Sequence, residues 1–451
     1  MFQDAVFRTY DIRGLVDEDF DAAWVEQLGK ACGAYMLERG LADVVVGFDC
    51  RDSSPAYHDA LTRGLLSTGV SVVSIGMVST PLLYFAVKHL HRKAGVMITA
   101  SHNPPQYNGF KIWVGESTIY GDDLQVLKQT MKAGVFPQGQ GLLSQHDIVP
   151  AYFEAVQERV TFSRPMKIVV DGGNGAGGET CCRLLQSLGA EVVALYCEPD
   201  GAFPNHHPDP VVEENMRDLM RAVREEGADF GVGLDGDGDR LGVVDKNGRL
   251  LNGDELLSIY AQELLIRKPG ATVIADVKCS QRLFDDIDKH SGQSLMNATG
   301  HSLIKAKMRE VGAELAGEMS GHMFFEDGWY GFDDAIYGAA RLAGIVSRCS
   351  RTLEDLPGWR VAFATREINI PCPEEFKPAM VRKAQEFFGS RYPVNRMDGA
   401  RVQFPDGWGL IRASNTQPIL VTRFEAATEA RLQAIQDEML KPLKAWIAEG
   451  S

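Results

Sequence analysis

The sequence predicts an α/β protein made of three related α/β units followed by a smaller α+β unit. Three stretches carry that expectation: Asp43 to Asp49 (Asp-Val-Val-Val-Gly-Phe-Asp), Met166 to Asp171 (Met-Lys-Ile-Val-Val-Asp) and Ala271 to Asp276 (Ala-Thr-Val-Ile-Ala-Asp). Each is a short β-branched run that ends in aspartate, which suits a strand buried on both faces. The runs lie too far apart for a solenoid repeat, but their spacing is natural for a domain duplicated twice.

Each run leads into small or polar residues and then a helical pattern, as at Ala56 to Leu66 and Thr180 to Leu188. This is a strand-to-helix unit. Gly134 to Asp147 is rich in Gly, Gln and Ser and precedes a helical pattern over Ile148 to Val160, so a boundary is expected there. A second is expected near Gly248 to Gly253. Beyond about Val361 the pattern changes: Arg366 to Ile370 alternates as a strand does, Phe376 to Phe388 has helical spacing, and Arg401 to Phe424 holds two strands around Pro405-Asp406-Gly407 before a closing helix. The expected domains are 1–148, 149–250, 251–362 and 363–451.

Composition narrows the function. The 451 residues are 45% hydrophobic with a formal charge of −15, so no overall field draws the chain to nucleic acid or an anionic membrane, and neither partner is expected. Local cations must bind any anionic substrate. Asp4, Arg8, Asp11 and Arg13 interrupt the first residues, unlike a signal peptide, and no apolar run reaches the roughly eighteen residues of a membrane span. Eight scattered cysteines without a Cys-x-x-Cys pair read as free thiols, and the expected compartment is the cytoplasm.

Four segments carry chemistry. Thr99 to Gly109 (Thr-Ala-Ser-His-Asn-Pro-Pro-Gln-Tyr-Asn-Gly) follows the apolar run Gly95 to Ile98, so Ser101 falls just past a strand end, where open α/β sheets hold ligands. Alone, it reads first as a polar Pro-Pro turn whose serine only hydrogen-bonds backbone; His102 and Lys111 only hint at help for a nucleophile. Asp235-Gly236-Asp237-Gly238-Asp239-Arg240 is more decisive. Carboxylates at alternate positions project to one side, the glycines let the loop curl, and the mutual repulsion calls for a hard cation with oxygen ligands, Mg²⁺ first. An EF-hand is excluded because Arg240 stands where glycine is needed and Lys246 where glutamate is needed.

The third segment, Gly317-Glu318-Met319-Ser320-Gly321-His322, offers an acceptor, a hydroxyl and an imidazole to sugar hydroxyls; Lys278 and His301 close neighbouring strand-like runs. In the fourth, Arg412-Ala413-Ser414-Asn415-Thr416 with Arg423 a strand later, a guanidinium and clustered donors suit a phosphate dianion. Gly173-Asn-Gly175-Ala-Gly177-Gly178 satisfies a dinucleotide-binding pattern, but no clear ribose partner follows, and it is read as tight packing. His206-His207 is read as part of a proline-braced loop.

Together and in this order, with Phe7-Arg8-Thr9-Tyr10-Asp11-Ile12-Arg13-Gly14 at the start, these segments resemble the α-D-phosphohexomutase superfamily along nearly the whole chain. The resemblance implies four domains, three α/β with mixed sheets and one α+β, around a central active-site cleft. It implies a phosphoserine at Ser101, one Mg²⁺ per chain on Asp235, Asp237, Asp239 and Ser101, and a phosphate clamp at Arg412, Ser414, Asn415, Thr416 and Arg423. Catalytic roles fall on Ser101, Lys111, Arg240 and His322, sugar contacts on Lys278, His301, Glu318 and Ser320, and other cleft positions on Tyr10, Arg13 and His102. The Met319 loop points to the phosphomannomutase/phosphoglucomutase branch. The implied substrates are small sugar phosphates, with glucose 1,6-bisphosphate as activator and a monomer or homodimer as the assembly. Rival readings are a phosphoglucosamine mutase, a metal-dependent sugar phosphatase and a non-catalytic binder of sugar phosphates.

Overall fold

A computed structural model describes residues 4–356, 359, 363–414 and 418–450. The β-branched runs form strands with little or no exposure, as at Asp43–Phe48, Met166–Asp171 and Thr272–Asp276, because each lies inside a sheet covered by helices on both faces. Three sheets share one strand order. The first runs Tyr107–Val114, Ala94–Ile98, Asp43–Phe48, Ser71–Met77; the second Leu241–Asp245, Phe230–Leu234, Met166–Asp171, Ala190–Leu195; the third Met323–Phe325, Leu315–Gly317, Thr272–Asp276, Gln293–Asn297. In each, the first pair is antiparallel and the rest parallel, so all three sheets are mixed. The expected triplication is therefore present in the topology.

The first sheet is larger than its siblings. Ile12–Leu15 joins one edge against Tyr107–Val114, and Leu143–Gln145 joins the other against Ser71–Met77. The glycine-rich stretch expected to mark a boundary thus supplies an edge strand. Its three residues are all exposed, so it has no apolar alternation, and only backbone pairing with its neighbour makes it a strand.

The fourth sheet holds Phe363–Ala364, Ile368–Pro371, Val394–Asn395, Ala400–Phe404, Gly407–Ala413 and Ile419–Ala426, all antiparallel, backed by Lys377–Gly389 and Glu429–Gly450. This is the expected α+β unit, with three strands rather than two between 400 and 426. Core packing separates it from the rest. Val45, Phe85, Met166, Leu234, Leu257 and Ile336 belong to one continuous cluster through the three α/β units, whereas Phe388, Phe404, Phe424 and Trp446 form a cluster inside the fourth. Between the two lies a small apolar contact of Val277, Trp408 and Leu410, flanked by ion pairs.

Candidate active site

The site grows from one repeated feature, the turn joining the last parallel strand of each α/β sheet to its antiparallel edge. In the first sheet this turn carries Ser101, in the second the three aspartates, in the third Glu318 to His322. Because the sheets share a strand order, the turns share a place in the fold and meet in one cleft.

Ser101 is 3% exposed and adopts φ of 52°, a left-handed conformation uncommon outside glycine. Its hydroxyl donates to Asp235 Oδ2 at 2.7 Å and lies 3.2 Å from His102 Nδ1. Asp235, Asp237 and Asp239 are all fully buried. Lys111, from the strand after the serine turn, donates to Asp237 Oδ2 at 2.7 Å and to Asp239, and Thr80 donates to Asp237 at 2.5 Å. Gly236 is required sterically: a Cβ there would lie 2.5 Å from the Ser101 carbonyl oxygen.

Electrostatics follow from this packing. Burial, then repulsion from Asp239 and Asp237, pushes the Asp235 carboxyl well above its ordinary range. Burial also opposes ionisation of Asp237, but the bonded Lys111 outweighs it and holds that carboxyl below the usual range. Lys111 is held well above its own range, since the carboxylates overcome the cost of burial. Asp237 Oδ1 and Asp239 Oδ1 are buried with no hydrogen-bond partner. Three converging carboxylates, two of them with an orphaned oxygen, beside a serine hydroxyl make a donor set that fits a hard divalent cation, with one oxygen of each aspartate within 4.8 Å of the others.

Across the cleft, Arg240 Nε donates to His322 Nε2 at 3.1 Å, and the two residues pair as a backbone bridge that joins the second turn to the third. His322 Nδ1 lies 3.2 Å from Asp333 Oδ2 and 3.6 Å from Asp239 Oδ1. His301 stacks on His322 with ring centroids 5.8 Å apart, and burial followed by the nearby Lys305 holds His301 well below its usual range. Burial, with Arg240 and Arg13 nearby, does the same to His102. Arg13 donates to Asn103 in the serine turn at 2.7 Å, and the Tyr10 hydroxyl to the Thr299 carbonyl at 3.0 Å. Glu318 accepts from Gly300 N–H at 2.6 Å, while Ser320 stays partly exposed at the turn.

The fourth unit closes the cleft. Arg412 Nε donates to Asp398 Oδ2 at 3.0 Å, and the same oxygen accepts from Thr299 N–H of the third unit at 3.0 Å. Ser414 lies at the end of the arginine's strand, while Asn415 and Thr416 fall outside the described residues. Lys278 donates to Glu367 at 2.7 Å. Arg423 lies on the same sheet face as Arg412; its guanidinium donates to the Lys278 carbonyl and lies 3.6 Å from Asp254, tying the third and fourth units together. The Gly173–Gly178 turn packs on the aspartate turn, with Ala176 N–H donating to Gly236 O at 2.9 Å. His206 lies 3.1 Å from Asp171, the terminal aspartate of the second unit.

Sequence reasoning passed over several contributors: Arg51 behind the serine turn, Thr80, the buried pair Lys305 and Asp333 at 2.9 Å, and Asp398. The Asp333-Asp334 doublet and the Asp-x-Arg after the first strand were the available signals.

Four stretches match successive domains of one family: "Phosphoglucomutase/phosphomannomutase, alpha/beta/alpha domain I" over residues 4–136, domain II over 150–248, domain III over 252–359, and the C-terminal domain over 367–441. The chain belongs to the phosphoglucomutase/phosphomannomutase family. A Pseudomonas aeruginosa protein named phosphomannomutase/phosphoglucomutase is 46% identical over 446 residues, 98% of this chain and 96% of its own. A Neisseria gonorrhoeae phosphoglucomutase is 44% identical over 96% of this chain and 95% of its own. Among solved structures, a phosphoglucomutase/phosphomannomutase family protein from Burkholderia thailandensis superposes with a TM-score of 0.93 at 42% identity, covering 99% of this chain and 98% of that one.

Proposed function

We propose that this family member reversibly moves a phosphoryl group between C1 and C6 of mannose or glucose phosphates, through a phosphoserine at Ser101 and a sugar 1,6-bisphosphate. The observation that carries the reading is the Ser101 hydroxyl held 2.7 Å from Asp235 at the edge of three buried carboxylates, two of which have an unpartnered oxygen. Residues 1–148 supply the phosphoserine, 149–250 the metal ligands, 251–362 the sugar contacts and 363–451 the phosphate clamp.

Asp235, Asp237, Asp239 and Ser101 would hold one Mg²⁺, which when bound offsets charge on the transferring phosphoryl oxygens. Arg240 adds a guanidinium on the same side. Arg412 and the neighbouring Ser414, Asn415 and Thr416 would grip the phosphate that is not reacting, so the sugar hydroxyl meets Ser101. Lys278, His301, Glu318 and Ser320 face hydroxyls that the two orientations of a 1,6-bisphosphate have in common. His322, or Lys111 with Arg240, takes and returns the hydroxyl proton. After the first transfer the bisphosphate must turn round and give its older phosphate back to Ser101, and glucose 1,6-bisphosphate primes the cycle. Eight free thiols support a cytoplasmic location.

The test is a coupled assay with glucose 1-phosphate and mannose 1-phosphate, Mg²⁺ and trace glucose 1,6-bisphosphate, with free phosphate followed in parallel. Formation of 6-phosphates that Ser101→Ala lowers by about 10⁴-fold or more supports the reading. Phosphate release without isomerisation would replace it with a phosphatase, and turnover confined to glucosamine phosphates would move the substrate.

A further inference from the structure

The serine turn holds a non-glycine residue in a left-handed conformation, which is strained and persists only where surrounding contacts enforce it. The enforcing group is Arg51, whose side chain is fully buried behind the turn. One terminal nitrogen donates to the carbonyls of Ser101 at 2.7 Å and Asn103 at 2.6 Å, and the other to those of Pro104 at 2.7 Å and Tyr107 at 2.9 Å. The Nε donates to Asp49 Oδ2 at 3.2 Å. A guanidinium has five N–H donors, and all five are engaged. Asp49 is itself fixed by the Ser54 hydroxyl at 2.7 Å and by Arg51 N–H at 3.1 Å.

This arrangement does more than close a loop. Four carbonyl oxygens spread over the turn, those of Ser101, Asn103, Pro104 and Tyr107, are gathered around a single cation. A lysine could not reproduce it, because an ammonium has three donors and no rigid planar fork.

We propose that Arg51 is a positioning residue for phosphoryl transfer, setting the Ser101 oxygen against Asp235 by anchoring the turn from behind. The inference deepens the function proposed above and rests on Ser101 as carrier. Arg51→Lys, Arg51→Ala and Ser101→Ala are incubated with Mg²⁺ and glucose 1,6-bisphosphate, and gain of one phosphoryl group is timed by intact mass. Steady-state constants for glucose 1-phosphate, thermal melts and the response to added guanidinium ion are measured alongside.

Arg51→Lys is expected to slow both phosphorylation of Ser101 and kcat by about 100-fold, the scale of an ångström-sized misplacement, while KM stays near wild type and the variant melts lower, because turn carbonyls lose donors, yet is folded at the assay temperature. Guanidinium ion should restore part of the rate in Arg51→Ala and none in Arg51→Lys, where the ammonium fills the space. If Arg51→Ala does not fold, the Lys variant carries the test alone. Wild-type kcat in Arg51→Lys, a defect confined to KM, or a rate loss no larger than the unfolded fraction at the assay temperature overturns the positioning role. Ser101→Ala separates the two ideas: if it still isomerises, the carrier assignment fails and this inference falls with it, whereas an inactive Ser101→Ala beside a fully active Arg51→Lys removes only the role of Arg51.

Discussion

The turn after Ala94–Ile98 and the turn after Phe230–Leu234 hold the same place in sheets of the same strand order, yet they solve opposite problems. The first presents one hydroxyl, on a left-handed serine, and is supported from behind by a buried guanidinium. The second concentrates three carboxylates and has a glycine, Gly238 at φ of 73°, at its own left-handed position. Asp235 Oδ1 accepts from the N–H groups of Asp239 and Arg240 at 3.0 and 3.1 Å, so the second turn is braced by its own backbone. A duplicated scaffold thus fixes where the turns meet, while the sign of charge behind each decides its chemistry. The third turn follows the same rule in another way: Asp276, at the end of the central strand, accepts directly from Met319 N–H at 3.3 Å, whereas Asp49 reaches its turn through Arg51.

The comparison is broken most sharply at the acidic turn. Asp237→Asn removes a charge from the set that balances Lys111 and from the proposed cation ligands, and kcat should fall by about 1000-fold with a higher Mg²⁺ requirement. Activity titrated against Mg²⁺, with metal content measured after dialysis, checks this; full turnover in chelator would mean that the acidic turn does not work through a cation.

The contact between the two turns gives the next largest effect. Gly236→Ala places a methyl 2.5 Å from the Ser101 carbonyl oxygen, against backbone that cannot yield cheaply. Activity should drop by about 100-fold with a stability loss of roughly 1–3 kcal/mol, measured by urea unfolding. Unchanged activity would show that the turns act independently.

The mildest test lies beyond the third turn, where adjacent carboxylates differ only in their partners. Asp333 is bonded to Lys305, which with His322 overcomes burial and holds it well below the usual range. Asp334 receives neutral donors, from Tyr152 at 2.9 Å, Trp329 at 3.1 Å and Tyr337 N–H at 2.9 Å, and burial pushes it up to about 7 from the ordinary 3.8. Its folded form therefore keeps a proton that the unfolded chain releases. Through this group, stability should fall as pH rises from about 4 to about 7, by up to about 1.4 kcal/mol per pH unit, and Asp334→Asn should flatten that slope in unfolding curves.

Much of the fold was legible in the sequence because its signals are local. Apolar runs ending in Asp49, Asp171 and Asp276 announced three parallel-strand units, and alternating glycines and aspartates announced a charge cluster that needs a counter-ion. Leu143–Gln145 was not legible, since an exposed edge strand is defined by its neighbour rather than by its own pattern. The supporting residues were hidden for a related reason: Lys305 and Asp333 look like ordinary surface charges until the fold removes their water, and Asp398 until it meets Arg412.

By itself, then, the sequence determined which residue types lie at strand ends and in what order, because strand propensity and turn chemistry act over a few residues. Only the tertiary structure decided that Ser101 meets Asp235 across 134 positions, that Lys111 balances two aspartates and that Arg51 serves the turn ahead of it. The physical reason is that buried charge is tolerable only with a partner in reach, and partners so far apart in sequence are brought within reach only when three sheets pack about one cleft.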